Sequence, residues 1–350
     1  MTAASSSTTT SPSPRITARL EQARELTLPG LREAVDTLHP RLARACGYHF
    51  GWWSRDGGPP AGQVRQGKFL RAALALLAAE AAGGRPEEAV PGAVAVELLH
   101  NHSIMHDDVI DADELRRGRR AVWSVYGTGT AVLAGDALVT AAITSLTAIG
   151  TAPGRRALCL LNDCLRRMCA GQAADLEFEE GREVTVEDYL QMAANKTSAL
   201  LAGAACIGAL LAGADKPVVD RLHLACLDLG LAWQAANDVE DIWGDPAVTG
   251  KPRLADLRQG KTTLPVLAAL RSDTPAGREL AAHRATAERD LESLEHLADL
   301  ITRAGGRAEA ERVAQERLDS ALAHLQLLAS PGHTRSALAG LFRLIVTRQA

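Results

Sequence analysis

Residues Gly92–Arg120 read GAVAVELLHNHSIMHDDVIDADELRRGRR. An apolar run with helical periodicity ends in four aspartates, Asp107, Asp108, Asp111 and Asp113, and a basic block follows at once. Asp107 and Asp111 are four apart, so they share a helix face one turn apart, with Asp108 on its flank. Like charges at this spacing destabilise an isolated helix by ~0.2–0.5 kcal/mol per pair. Carboxylates on a largely buried helix are costly unless something neutralises them. Stability alone does not select this arrangement, whereas Mg²⁺ does: it is a hard cation that takes oxygen ligands and bridges to phosphate.

The pattern occurs again downstream. The apolar run CLDLGLAWQAA ends in NDVEDIWGD, with Asn237, Asp238, Glu240, Asp241 and Asp245. Asn237 and Asp241 share a face and Asp238 lies beside it. A solvated acidic helix end would account for either cluster alone. Two copies, each ending an apolar helix and each trailed by basic residues, favour opposed helices flanking one cavity. The calcium ladder D-x-[DN]-x-[DN]-G is absent. The basic blocks hold Arg116, Arg117, Arg119 and Arg120 after the first cluster, and Lys251, Arg253, Arg258 and Lys261 after the second. A third, GKFLR, puts Lys68 and Arg71 on one helix face. Arg grips phosphate through a planar fork and Lys as a point charge. Metal-binding acids beside phosphate-binding cations suit a diphosphate substrate.

The rest of the chain supports an all-α fold. Hydrophobic residues make up 47% of 350 residues and aromatics only 3%, with the helix formers Ala and Leu dominant. Helical periodicity predicts helices from Ile16 to about Cys46, from Lys68 to Ala82 and from Pro91 to Asp113. Further helices are predicted at about 130–149, 155–180, 186–213, 216–243, 261–271, 276–304, 307–328 and 333–348. No run alternates with period two, so no sheet is expected. Residues 1–15, rich in Ser, Thr and Pro, read as a disordered tail, and 16–350 as one helical domain. A net charge of −4 gives no basic field for nucleic acid. The longest uncharged run, Ala199–Ala214, is short for a bilayer span and rich in small residues, so it reads as a buried core helix and no membrane span is expected. The six cysteines form no CxxC pair, which fits a reducing cytoplasm, and no signal peptide is visible.

These residues resemble the trans-prenyl diphosphate synthase family. DDxxD stands at Asp107–Asp111, RRG at Arg116–Gly118, GKxLR at Gly67–Arg71, GQxxDL at Gly171–Leu176 and KT at Lys196–Thr197. The stretch GDPxxTGKPxxxDLRxGKxTLP runs from Gly244 to Pro265. The resemblance implies the helical isoprenoid synthase fold around a central cavity, homodimerisation, and condensation of isopentenyl diphosphate with an allylic prenyl diphosphate. It implies three Mg²⁺ ions. Asp107 and Asp111 would hold two of them on the allylic diphosphate with Asp108 beside them, and Asn237, Asp238 and Asp241 would serve the third. Arg116, Lys196 and Lys251 would contact the allylic diphosphate. Gly67, Lys68, Arg71, His100 and Arg117 would bind that of isopentenyl diphosphate, with Lys261 also on the substrate side. Thr197 and Gln234 would line the place where the allylic cation forms. No protein nucleophile is implied; His102 and His106 lie near the first cluster without a role.

One departure concerns Asn237, where the family carries Asp. It removes a charge from the third-metal site and moves the motif part-way towards that of class I terpene cyclases, which is one alternative reading. A non-catalytic subunit of a heteromeric synthase is another. The second diphosphate pocket, Lys68, Arg71, His100 and Arg117, and the 3% aromatic content speak against the first, and the intact first cluster with its basic residues against the second. Chain length in the family follows bulk before the first motif. Ser103 and His102 stand four and five residues ahead of Asp107, with Leu99 and Val96 deeper, and none is the Phe or Tyr that stops growth at fifteen carbons. A C20 product, geranylgeranyl diphosphate, is expected.

Overall fold

A computed structural model describes residues 14–60, 62, 64, 66–180, 182–246, 253–283 and 290–347. Residues 1–13 of the expected tail and Lys251 lie outside the described residues, while Pro14 and Arg15 already belong to the first helix.

The chain folds as helices: α1 (Pro14–Asp36), α2 (Pro40–His49), α3 (Leu70–Ala81) and α4 (Val90–Ile110) lead into a hairpin, β1 (Leu115–Arg116) with β2 (Arg119–Arg120). There follow α5 (Val122–Tyr126), α6 (Thr128–Thr147), α7 (Ala152–Glu179), α8 (Val186–Ala193), a π turn (Ala194–Ser198), α9 (Ala199–Leu211) and α10 (Lys216–Trp243). The last third holds α11 (Ala255–Gln259), α12 (Leu264–Leu270), α13 (Pro275–His283), α14 (Leu291–Arg303), α15 (Gly306–Gln326) and α16 (Gly332–Thr347).

Local chemistry sets the boundaries. Thr151, Thr185 and Asp215 cap α7, α8 and α10 by accepting backbone N–H groups, and prolines stand in the first turns of α7 and α10. The centre is the α9 helix, buried along nearly its whole length, with α3, α7 and α10 packed round it. The reading of Ala199–Ala214 as a core helix therefore holds. By length and composition Val186–Leu211 and α6 could each cross a membrane, but 72% of an apolar 18-residue stretch of the first is buried inside the fold, against 39% for α6. Cys46, Cys164, Cys206 and Cys226 are buried free thiols.

Four expectations need correction. Lys68 does not share a helix face with Arg71, because α3 begins only at Leu70, after Phe69 in the left-handed region. The predicted helix from Ile16 to Cys46 is two helices, because Pro40 begins a new one. The predicted 276–304 helix is likewise two, α13 and α14. A sheet does exist, although a minimal one: Leu115 pairs with Arg120 and Arg116 with Arg119 across Arg117-Gly118. Both turn residues have positive φ, 55° and 77°, the requirement of a tight hairpin. The resulting ribbon is too short for its sequence to alternate.

The non-glycine residues with positive φ among those described are Phe69, Ala112, Arg117 and Leu254. Three of them adjoin or belong to the motif residues Lys68, Asp111 and Arg117, and Leu254 donates its N–H to the Asp241 carbonyl. Left-handed backbone costs a non-glycine residue about 1–3 kcal/mol and clusters where function demands it.

Candidate active site

Two helix ends face each other. The C-terminal end of α4 carries Asp107 and Asp111, and that of α10 carries Asn237 and Asp241. A cleft at the α10 end is lined by Asn237, Asp241, Gln234, Lys196, Asp175 and Lys261. Two lysines that line this cleft reach other acids. Lys261 Nζ lies 3.2 Å from Asp111 and 3.6 Å from Glu179. Lys196 Nζ lies 2.6 Å from Asp175 and its charge also acts on Asp107.

Burial pushes the Asp107 carboxyl above the ordinary carboxylate range, with Lys196 pulling against it and Asp111 adding to it. Burial draws Lys196 down, but Asp175 and Asp107 outweigh it and hold the ammonium above the usual lysine value. The charge arrangement is thus acids that need a cation beside lysines that stay charged.

Asp108 and Asp238 behave differently from their neighbours. Both were expected at the metal; Asp108 turns into the protein, and Asp238, at the cleft wall, has its carboxylate oxygens engaged by protein donors. Asp108 is 1% exposed and accepts from Arg116 Nε at 2.7 Å. Arg116 also reaches Asp113 at 3.0 Å, so this guanidinium braces the loop after α4. Asp238 is 2% exposed and accepts from Tyr189 Oη at 2.5 Å, Leu264 N at 2.9 Å and Gln234 Nε2 at 3.0 Å. Burial and Asp256 raise the Asp238 carboxyl to about 7, against the pull of those three donors. Gln234 in turn accepts from Thr197 Oγ1 at 2.6 Å. The KT pair and the α10 cluster are therefore one hydrogen-bonded unit. At i and i+1 a helix points two side chains about 100° apart, so the second aspartate of each pair cannot share the first one's direction.

Asn237 Oδ1 is buried without a hydrogen-bond partner, in a fold where buried acceptors are normally satisfied. An oxygen donor held free at the cleft, together with the Asp107 and Asp111 carboxylates, is the donor set a hard divalent cation takes. The residues present fit Mg²⁺.

Lys196 and Thr197 lie in the π turn, a widened helical turn of the kind that collects at functional sites. The backbone of α7 approaches it closely: a Cβ on Gly171 would stand 2.4 Å from Lys196 N and 2.8 Å from Lys196 Cα.

A second cationic group forms behind α4. Arg71, 8% exposed, contacts His100 Nε2 at 3.0 Å and lies 5.1 Å from the Trp233 ring centre. Glu97 accepts from Ala72 N at 3.1 Å and acts on both Arg71 and Arg117. Burial lowers Arg71 to about 10, with Glu97 opposing. The Arg117 guanidinium stands over Gly67, 3.6 Å from where a Cβ would be. Lys68 is exposed at the mouth. Gly67, Arg71, His100 and Arg117, from three separate stretches of sequence, thus meet around the first turn of α3 and the hairpin, with Lys68 next to Gly67 in the chain.

Sequence reasoning missed Glu97, His49 and Tyr189. Glu97 had a signal, a lone acid in an apolar run. His49 had none: it reaches this group from α2, with its Nε2 3.1 Å from Asn101 Oδ1. Burial first, then Arg117, lowers it to about 3, so the ring is neutral. His102 and His106 belong to neither cationic group. They face α6, where His106 Nε2 is 3.1 Å from the Val132 carbonyl; burial and His106 lower His102 to about 4.

Comparison with known proteins gives one picture. The family model described as polyprenyl synthetase matches residues 62–301. A geranylgeranyl diphosphate synthase of Mycobacterium tuberculosis is 45% identical over 310 residues, 88% of each chain. A (2E,6E)-farnesyl diphosphate synthase of Mycobacterium bovis is 40% identical over 332 residues, 94% of this chain and 92% of the other. Among solved structures, a polyprenyl synthetase from Streptomyces coelicolor superposes with a TM-score of 0.89 at 42% identity, covering 95% of this chain and 99% of that one.

Proposed function

This chain belongs to the polyprenyl synthetase family and is a trans-prenyl diphosphate synthase, and from that premise we propose how its residues divide the work and which product they make. The single observation that carries the assignment is that Lys196 and Lys261, which line the cleft with Asn237 and Asp241, also act on the α4 carboxylates Asp107 and Asp111.

Asp107 and Asp111 would hold two Mg²⁺ ions for the allylic diphosphate, and Asn237 and Asp241 would serve a third. Bound there, Mg²⁺ supplies Lewis-acid stabilisation of the departing diphosphate. Lys196 and Lys261 add fixed positive charge where negative charge develops. Asp108 and Asp238 act as supports, the first by positioning Arg116 and the hairpin, the second by fixing Gln234 and Tyr189. Thr197 and Gln234 line the cation's place. Arg71, His100, Arg117, Lys68 and the Gly67 backbone hold the diphosphate of isopentenyl diphosphate, so that its double bond lies beside the allylic carbon. The carbon–carbon bond forms as the allylic carbon–oxygen bond is lost, and a proton then passes to the released diphosphate. No side-chain nucleophile takes part. Lys251, outside the described residues, is assigned to the allylic diphosphate by its motif alone, and a second copy of the chain completes the homodimer.

His100→Ala raises KM for isopentenyl diphosphate by ~10–100-fold, the loss of one hydrogen bond to a charged group, and leaves KM for the allylic primer unchanged. Steady-state kinetics with each substrate varied in turn checks this; an equal rise in both would move His100 out of that pocket. Asn237→Asp adds a charge to an oxygen donor that already lacks a partner. It lowers the Mg²⁺ concentration needed for half-maximal rate several-fold, read by Mg²⁺ titration of turnover. An unchanged titration curve removes residue 237 from the metal site.

The product proposed is C20 geranylgeranyl diphosphate. Support comes from the half-buried Ser103 and His102 before Asp107, with the buried Leu99 and Val96 deeper on α4. Product analysis with Mg²⁺, isopentenyl diphosphate and each allylic primer tests it, and a C15-only product defeats it. The same assay without isopentenyl diphosphate separates the cyclase reading, which would yield hydrocarbon from a single prenyl diphosphate.

A further inference from the structure

We propose that His102, His106 and Asp136 form a second metal site, separate from the aspartate clusters, for a divalent first-row ion that prefers imidazole, of the zinc, nickel or cobalt class. His102 and His106 stand one turn apart on α4, away from the Asp107 face, with ring centres 4.3 Å apart. Asp136 meets them from α6, its Oδ1 3.7 Å from His106 Nε2. One donor atom from each residue lies within 4.8 Å of the other two.

Two further observations point to a ligand. His102 Nδ1 is buried and makes no well-formed hydrogen bond, with only the Gly135 backbone close enough to act on the ring. Opposite it α6 carries Gly135: a Cβ there would fall 2.3 Å from His106 Nε2 and 3.3 Å from His102 Nδ1. The glycine thus keeps side-chain bulk out of the space onto which the two ring nitrogens open. The His106 nitrogen has the Val132 carbonyl as its present neighbour, so ion and carbonyl compete for it.

The donor chemistry sets the selectivity. Two imidazoles and a carboxylate suit zinc-like ions and leave a coordination position for water. Mg²⁺ demands oxygen ligands, so the ion that loads the aspartates leaves this site to others. Asp136 is 58% exposed, which gives an entry path from the surface. Once bound, the ion ties α4 to α6 at His106, immediately before Asp107.

The test is Co²⁺ titration of the metal-stripped full-length protein in excess Mg²⁺ and without substrate, so its outcome does not depend on the prenyl transfer reaction. We expect one tightly held equivalent with visible absorption of nitrogen and oxygen coordination, and a rise in melting temperature with Co²⁺. Asp136→Asn and His106→Ala each lose both, whereas the double variant Asp107→Asn, Asp111→Asn keeps both. Circular dichroism checks that the variants are folded, and Asp136→Asn, on the exposed side, guards against a folding failure of the histidine variant. No Co²⁺ retained against Mg²⁺, or the same stoichiometry in Asp136→Asn and His106→Ala as in the parent, overturns the proposal. So does a thiolate-to-cobalt band, which would place the ion on the exposed Cys159 or Cys169.

Discussion

Asp107→Asn lowers kcat/KM by at least about a thousandfold, ~4 kcal/mol of transition-state stabilisation, while the protein stays folded and melts no lower than the parent. The two halves of this expectation have one cause. Asp107 is a buried carboxyl raised above its ordinary range by desolvation, with Asp111 one turn away on the same helix. A carboxyl whose folded-state value exceeds its unfolded value contributes stability at low pH and loses it as pH rises through the folded value. At neutral pH without metal its charge works against the fold, and the isosteric neutral amide removes that burden. What Asn cannot do is supply the anionic oxygen that holds a divalent cation against a diphosphate. Steady-state turnover with saturating Mg²⁺, together with thermal unfolding of the metal-free protein, checks both halves. Activity retained within about tenfold removes Asp107 from the metal site. A large drop in melting temperature would give it a structural role like that of Asp108.

Gly171→Ala lowers stability by about 1–3 kcal/mol, the usual cost of inserting a methyl group into close-packed surroundings. Its catalytic effect is of similar size and has a separate cause. The new Cβ would meet Lys196 N at 2.4 Å and Lys196 Cα at 2.8 Å, and backbone cannot rotate away as a flexible side chain can. Either α7 withdraws or the π turn shifts, and the turn carries both Lys196 and Thr197. Displacement of positioned groups by about 1 Å costs on the order of a hundredfold in rate. The loss should therefore fall in kcat, with the Thr197–Gln234–Asp238 chain broken. Denaturant unfolding and single-turnover kinetics measure the two effects. Parent-like kcat in a destabilised variant would detach the π turn from the chemistry.

Much of the fold was legible because helices announce themselves locally. The α10 helix was read as 216–243 and is Lys216–Trp243, since Asp215, Pro217 and Gly244 mark both ends chemically. The π turn was not legible: Ala194–Ser198 has helix-compatible residues, and its widening belongs to the contact with Gly171 across the bundle. The hairpin at Arg117-Gly118 escaped for another reason, being held by two positive-φ residues rather than by any strand pattern.

For the site, residue types and spacings determined which groups carry charge and which chemistry they can serve. The clusters at Asp107 and Asn237 and the basic blocks needed only the helical period and the oxygen preference of a hard cation. Only the tertiary structure decided how these groups are used. It turned Asp108 into the protein, tied up the Asp238 carboxylate in hydrogen bonds, set Lys196 and Lys261 in the cleft within reach of the α4 carboxylates, and brought His49 and Glu97 to the arginines. It also set His102 and His106 against Asp136. The physical reason is range. Helical periodicity and capping are settled within a few residues. Which of two adjacent aspartates meets water, and which cation reaches it, depends on helices brought together by burial of apolar surface far away in sequence.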